Sequence, residues 1–456
     1  MPRFDAIVIG SGQAGTPLSQ KLADRGWAVA LVEKEHLGGT CVNTGCTPTK
    51  TMVASAQVAF YARNAGRWGV RAGAVSVDLP KVVARKDRVV DQSRSGLNRK
   101  VEERKTLHLH RGHACFISPH EVRVGEEVLE SERIFIDTGT RPDVPLLEGL
   151  RGIDFLDNAS IMRLTEIPEH LLVLGGGYVG MEFGQMFRRF GSRVTIVQRE
   201  QQILPHEDAD VAEALQQALE GEGLRFLLGA TTIRVEKEQG GVALSVVVEG
   251  TTETVRGSHL LVATGRRPNT DDLGLQEAGV QTDQRGFIRV NNRLETSVPG
   301  VWALGDVKGG PAFTHISFND YQIVYANLVD GKALTTDNRP VPYAVFTDPQ
   351  LGRVGLTERE ARAEGRRLKV GKIPMAWVAR AIERDETVGL MKLVVDVETD
   401  RILGAAILGS EGGEIVQVLH AVMLAGAPYT LLKGAVYIHP TLAEGLWTLM
   451  EAVTAI

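Results

Sequence analysis

The sequence predicts an α/β protein with two Rossmann-like units followed by an α+β C-terminal domain. Three observations point there. Residues 5–10, DAIVIG, run into Gly10-Ser11-Gly12-Gln13-Ala14-Gly15, a glycine turn between a short apolar strand pattern and a helix pattern. The same arrangement returns at Gly175, Gly177 and Gly180, inside HLLVLGGGYVGMEFGQMFRRFGSRVTIVQRE. Near the C-terminus two strand patterns, VGLMKLVVDV and ILGAAILG, precede the apolar helix pattern EIVQVLHAVMLAG.

In the first unit each residue has a physical duty. Gly10 permits the tight turn, and Gly12 lets the backbone approach a pyrophosphate. Gly15 lets the helix TPLSQKLADRG pack close to its strand, with its N-terminus facing the negative charge. A second strand, AVALVEK, ends near Glu33, roughly 20 residues past the glycines, where a carboxylate accepts hydrogen bonds from a ribose diol. Strand, turn, helix, strand and acid in this order predict a dinucleotide site.

The second unit repeats the turn but ends its second strand Val197-Gln198-Arg199. Gln198 removes a carboxylate that repels a 2′-phosphate, and Arg199 supplies a cation that attracts one. NADPH is therefore the expected coenzyme here, with NADH as the alternative. Two dinucleotide sites in one chain suggest two cofactors that exchange electrons.

Bulk properties exclude several classes. The chain has 456 residues, enough for about three domains at ~150 residues each. Hydrophobic residues make up 43% and charged residues 23%, and the net charge is −5 without any basic block, so no nucleic-acid partner is expected. No apolar run approaches the ~18 residues of a membrane span. The N-terminus, MPRFDAIVIG, lacks the pattern of an export signal, so a cytoplasmic protein is expected.

Only 3 cysteines occur, and two of them stand in LGGTCVNTGCTPTK, as Cys41 and Cys46. A staple, half a metal site and a redox pair are the options. A zinc site needs partner ligands, and there is no second cysteine pair. In a reducing compartment a disulfide is more often catalytic than structural. A thiol at a helix N-terminus near a cation is also activated as the thiolate.

GGTCVNTGCTPTK resembles the redox-active segment of the flavoprotein disulfide reductases, the pyridine nucleotide-disulfide oxidoreductase family. IDTGTRP at 136–142 and VATGRRPN at 262–269 resemble its two crossings between domains. VPGVWALGDV at 298–307 resembles its second flavin motif, and YIHPTLAEGLW at 437–447 its C-terminal His-Pro-Thr segment. The resemblance implies an FAD-binding domain from 1–145 and 266–337, an NAD(P)-binding domain over 146–265, and a dimerisation domain over 338–456.

It also implies roles. Cys46 contacts the flavin and Cys41 attacks substrate. Lys50 lies beside the flavin and pairs with Glu182. Gly39, Thr40, Ala114, Gly139, Asp306 and Thr314 join Gly10, Gly12, Gly15 and Glu33 around FAD, with Asp306 at a strand end and Thr314 at a helix start. Tyr178 covers the nicotinamide pocket, and Gly265 joins Gly175, Gly177, Gly180, Gln198 and Arg199 around NADP. His439 is the acid–base group, oriented by Glu444, with Pro440 placed to start a helix. In the family this segment reaches the cysteines from the other subunit of a homodimer.

FTHISFNDYQIV and VPYAVFTDPQLGRVGLTE are similar to the mercuric-reductase-like branch that defends bacteria against reactive chlorine and hypothiocyanous acid. The expected substrate is a small oxidant or disulfide. The alternatives are dihydrolipoamide dehydrogenase, although that group keeps the acid replaced by Gln198 and a small residue where this chain has Ile438, and a mercuric or metal-ion reductase lacking the C-terminal cysteine pair. Mercuric reductases carry a C-terminal cysteine pair, and this chain has none after Cys115. Cys115 reads as a buried thiol. His108 and His110 alternate along a strand pattern, with His113 beyond them, and no metal site is assigned to these residues.

Overall fold

The computed structural model describes residues 2–455. Its first sheet has five parallel strands in the order Val301–Ala303, Ile134–Ile136, Ala6–Ile9, Val29–Glu33, Leu107–Arg111. The strand Ala6–Ile9 is central, so the turn that follows it opens at the point where the strand order reverses. Alternation fills both faces. Ile7 and Ile9 belong to one core cluster, and Ala6 and Val8 to the other.

The second sheet has four parallel strands, Leu224–Leu227, Arg193–Val197, His170–Leu174 and His259–Val262. The chain passes between the two units through a two-stranded antiparallel ribbon, Thr140–Pro142 with Arg266–Pro268. The C-terminal part forms a six-stranded antiparallel sheet covered by the helix Gly412–Leu424. Among the described residues no helix is long and apolar enough to cross a membrane.

Both glycine turns are fixed by the same steric demand. Gly10 has φ +99°, and a Cβ there would stand 2.3 Å from the Asp137 carbonyl oxygen. Gly175 has φ +115°, and its Cβ would stand 2.4 Å from the Ala263 carbonyl oxygen. Each turn thus lies against the backbone of a crossing strand, which only glycine permits.

The helix Cys46–Asn64 packs on the helix Tyr178–Phe190, so the cysteine segment of the first unit lies against the second. One core cluster runs through Met52, Met181, Phe187, Val345 and Leu408, joining all three parts of the chain. Seven methionines, from Met52 to Met450, are buried in such clusters, and Met423 is partly buried.

A buried ionic network also joins the second unit to the C-terminal sheet. Arg353 Nε stands 2.9 Å from Glu207, and Glu207 also accepts from the Tyr343 hydroxyl. Lys392 is held by Asp208 at 3.1 Å and by Asp210 and Glu358 at 3.0 Å. Burial pushes the Glu207 carboxyl up, and the Arg353 guanidinium opposes that shift. Removing one partner strands the other as an uncompensated buried charge. Arg353→Ala is therefore expected to cost about 3–5 kcal/mol, read as a lowered urea midpoint. An unchanged midpoint would contradict this account.

Candidate active site

The functional side chains gather around one elongated cavity of about 1440 Å³, larger than the ~300–1,000 Å³ of ordinary small-molecule sites. Gly10, Gly12, Glu33, Gly39, Thr40, Ala114 and Gly139 line it, as do Cys41, Cys46, Lys50, Tyr178, Asp306 and Thr314. Gly15 lies behind the turn, as a packing glycine should.

The donor set fits FAD. The residue before the helix Gly15–Asp24, Ala14, adds no side-chain cap, and the first N–H of that helix, at Gly15, donates to Asp137 Oδ2 at 2.7 Å. Glu33 Oε2 accepts from the Ser11 N–H at 3.1 Å and the Ser11 hydroxyl at 2.6 Å, which holds the carboxylate at the edge of the turn. Asp306 is held by Thr140 Oγ1 at 3.1 Å, and Arg266 in turn donates to that oxygen at 2.7 Å. Asp306 lies three residues past the strand Val301–Ala303, on the single-turn helix Gly305–Lys308, rather than at the strand end. Gly305, at φ +67°, turns the chain there.

Also on the cavity, Lys50 Nζ meets Glu182 Oε2 at 2.6 Å, and Glu182 is 4% exposed. The other oxygen of Glu182 accepts from the Phe346 N–H at 2.9 Å, and Lys50 lies over the Phe346 ring at 4.6 Å. The cation is thereby fixed from two sides.

Cys46 begins the helix Cys46–Asn64, and Cys41 sits in the short helix Gly39–Asn43. Both are free thiols, with Cys46 the more exposed because it opens onto the cavity. Cys46 Sγ lies 3.2 Å from Thr314 Oγ1, at the first residue of the helix Thr314–Val329. A hydrogen bond from Cys41 pulls the Cys46 thiol down, and Thr314 and Lys50 act in the same direction against burial. The same bond, together with burial, pushes the Cys41 thiol up. The pair is thus polarised, with Cys46 as the thiolate and Cys41 as the proton donor.

Tyr178 opens the helix Tyr178–Phe190, 37% exposed, with its ring 6.2 Å from Phe313. Phe313 is stacked between His315 and Tyr343, at 5.5 and 5.1 Å. Sequence reasoning missed this aromatic stack, which joins Phe313 and His315, two residues apart, to Tyr343 from the separate strand Tyr343–Val345.

Around the second turn, Gly175 and Gly177 lie between strand and helix, Gly180 lies buried in the first turn of that helix, and Gly265 begins the return crossing at φ +132°. Gln198 differs from expectation. It is buried, and its Oε1 accepts from the Gly176 N–H at 2.9 Å, so its amide holds the turn instead of facing outward. Arg199 is exposed and paired with Glu200 at 3.0 Å.

The structure of one chain does not bring His439 to the cysteines. His439 Nδ1 meets Glu444 Oε2 at 2.9 Å, the imidazole is 72% exposed, and neither residue lines the cavity. Pro440 does not start a helix, because Ile438 O accepts from Thr441 in a turn and the helix Gly445–Glu451 begins after Glu444. Cys115 is half-buried on the strand Ala114–Ser118. His108 and His110 pack on Phe4, at 5.7 and 5.5 Å, and His113 Nε2 meets the Asp272 carbonyl at 3.0 Å. Among the described residues no group of three or more ligating side chains could hold a metal.

Comparison with known proteins agrees with this architecture. Residues 4–320 match the family model of the pyridine nucleotide-disulphide oxidoreductases, and residues 341–450 match that family's dimerisation domain. The chain is 37% identical to the "Probable pyridine nucleotide-disulfide oxidoreductase RclA" of Escherichia coli, over 99% of this chain and 100% of the relative. It is 39% identical to a dihydrolipoyl dehydrogenase of Thermus scotoductus, over 99% and 98%. It is 34% identical to a mercuric reductase of Lysinibacillus sphaericus, over 97% and 81%. A solved structure of the HOCl-induced flavoprotein disulfide reductase RclA from Escherichia coli superposes with a TM-score of 0.90 at 36% identity, covering 99% of this chain and 100% of that one. With two nucleotide units, a polarised thiol pair between them and a matching dimerisation domain, the chain belongs to the pyridine nucleotide-disulfide oxidoreductase family and is an enzyme of that class.

Proposed function

We propose that the chain passes electrons from NADPH, through FAD, to the Cys41–Cys46 pair and on to a small oxidant or disulfide. The observation that carries this reading is the convergence of the thiol pair, Lys50–Glu182 and the first glycine turn on one cavity. Bound FAD supplies a two-electron acceptor for the nicotinamide hydride and a two-electron donor to the disulfide.

The chain's own residues do the rest. Lys50, fixed by Glu182, presents positive charge where reduction accumulates negative charge. Tyr178 covers the coenzyme end until the nicotinamide enters. In the reduced pair Cys41 attacks the substrate, with its proton passing to the partner subunit's His439. The attack breaks the substrate's bond to sulfur, and the partner's His439 returns the proton to the group that leaves; Cys46 then displaces the remaining half from Cys41, which reforms the disulfide and releases the substrate reduced by two electrons. Glu444 orients the imidazole and stabilises its charged form. This arrangement requires the homodimer that the dimerisation domain suggests. The division into domains at 1–145 with 266–337, 146–265 and 338–456 belongs to the same reading, as does a cytoplasmic setting.

The similarity to the HOCl-induced RclA supports a reactive oxidant as substrate. The equal similarity to a dihydrolipoyl dehydrogenase supports a second reading, with NADH and lipoamide as partners. NADPH and NADH oxidation measured with lipoamide, glutathione disulfide, Hg(II), Cu(II) and hypothiocyanite separates them. Turnover fastest with lipoamide and NADH overturns the first reading.

The purified protein is expected to be yellow and to bleach on adding NADPH. A long-wavelength absorbance band is expected on reduction, kept in Cys41→Ser and lost in Cys46→Ser. The reverse pattern would exchange the two roles.

For the coenzyme, Arg199→Ala is expected to raise the Michaelis constant for NADPH by about tenfold, which is ~1.4 kcal/mol, while leaving that for NADH nearly unchanged. An equal effect on both would remove Arg199 from 2′-phosphate recognition.

A further inference from the structure

The two Rossmann units act as internal controls for one another. Gly10, Gly12, Gly15 and Glu33 correspond in order to Gly175, Gly177, Gly180 and Gln198. Where each turn meets its crossing strand, the second unit has Ala263 in VATG and the first has Asp137 in IDTG. The backbones match there. The Asp137 N–H donates to Ile9 O at 2.8 Å, and the Ala263 N–H to Leu174 O at 2.8 Å. The carboxyl is therefore an addition specific to the first unit, not a requirement of the fold.

That carboxyl is 6% exposed and borders the cavity. Its Oδ2 accepts from the Gly15 N–H at 2.7 Å, at the end of the helix that faces the dinucleotide phosphates. A Cβ on Gly12 would stand 2.7 Å from Oδ2, and one on Gly305 would stand 2.7 Å from Oδ1. Both chain segments close on this side chain.

The charges that face it are other carboxylates. Asp306, from the turn after the strand Val301–Ala303, and Asp320, from the helix Thr314–Val329, both lie near. Asp320 is neutralised by Lys308 at 3.2 Å and Arg339 at 2.8 Å, and Asp306 has Thr140 and Arg266 beside it. Among the described residues no cation pairs with Asp137.

We propose that Asp137 is a cofactor-seating residue that works in its neutral form: FAD binds while the carboxyl keeps its proton and is released more readily once the proton is lost. An anion here would add negative charge beneath the phosphate-binding turn. Burial already pushes the Asp137 carboxyl well above the usual carboxylate range; the N–H groups of Gly15 and Ala14 oppose this, and Asp306 and Asp320 add to it. A bound pyrophosphate raises it further. By linkage, FAD binding then takes up a proton, and affinity falls as pH rises through the Asp137 titration.

This inference rests on the flavin reading above. The test is FAD release from the holoenzyme, followed as free-flavin fluorescence from neutral to alkaline pH, with proton uptake measured on rebinding in weak buffer. Above the titration the wild-type dissociation constant is expected to rise up to about tenfold per pH unit, with one proton taken up per FAD. Asp137→Asn, which keeps the shape and an acceptor for Gly15, is expected to show neither. Asp137→Ala, which copies Ala263 of the second unit, provides a second uncharged variant and is expected to behave alike in pH dependence. Parallel profiles in the wild type and these variants overturn the role of Asp137 and leave the flavin reading intact. A purified chain that neither carries nor rebinds flavin overturns both.

Discussion

The contact on which the site depends is that of the helix Cys46–Asn64 with the helix Tyr178–Phe190, closed by Lys50 and Glu182 at 2.6 Å. The first helix begins with a redox thiol, and the second begins a nucleotide turn. Each helix N-terminus must therefore arrive at the same cavity, and their mutual packing fixes the distance between the two chemistries. Glu182 extends the contact to a third segment by accepting from Phe346, which belongs to the C-terminal part. A buried carboxylate with a cation on one oxygen and an N–H on the other is satisfied only when all three parts are in place.

The duplicated turn shows how one steric solution serves two cofactors. Both glycine turns press on a crossing strand, and both use a side chain from the end of the second strand to hold the turn. Glu33 does so through Ser11 and Gln198 through Gly176. The acid and the amide thus share a structural duty, and only their charge differs.

Much of this was legible in the sequence because it rests on local spacing. The glycine turns and the Cys41–Cys46 pair follow from positions along the chain, and Lys50 and the helix start at Thr314 follow from the resemblance to the family. The unread parts depend on residues far apart. Asp137 stands out only when the two crossings are compared, and its neighbours arrive from Gly15, Gly305 and Asp320. The stack of His315, Phe313 and Tyr343 and the buried pair of Glu207 with Arg353 have no sequence period. Gln198 was identified correctly as a missing acid, but its inward hydrogen bond was not visible, because the amide competes for the turn in a way that charge alone does not reveal. Pro440 allows a helix start in principle, yet the turn closed by Thr441 delays that start to Gly445.

The placement of sulfur has a consequence for how the protein ages. Seven of the eight described methionines are buried in the core, where an oxidant cannot reach a thioether without opening the fold. Cys115 is half-covered, and Cys46 is the one exposed thiol. Accessible sulfur is thus concentrated at the working site itself. Chemical wear begins at the redox pair, so damage takes the form of lost turnover in a chain that is still folded.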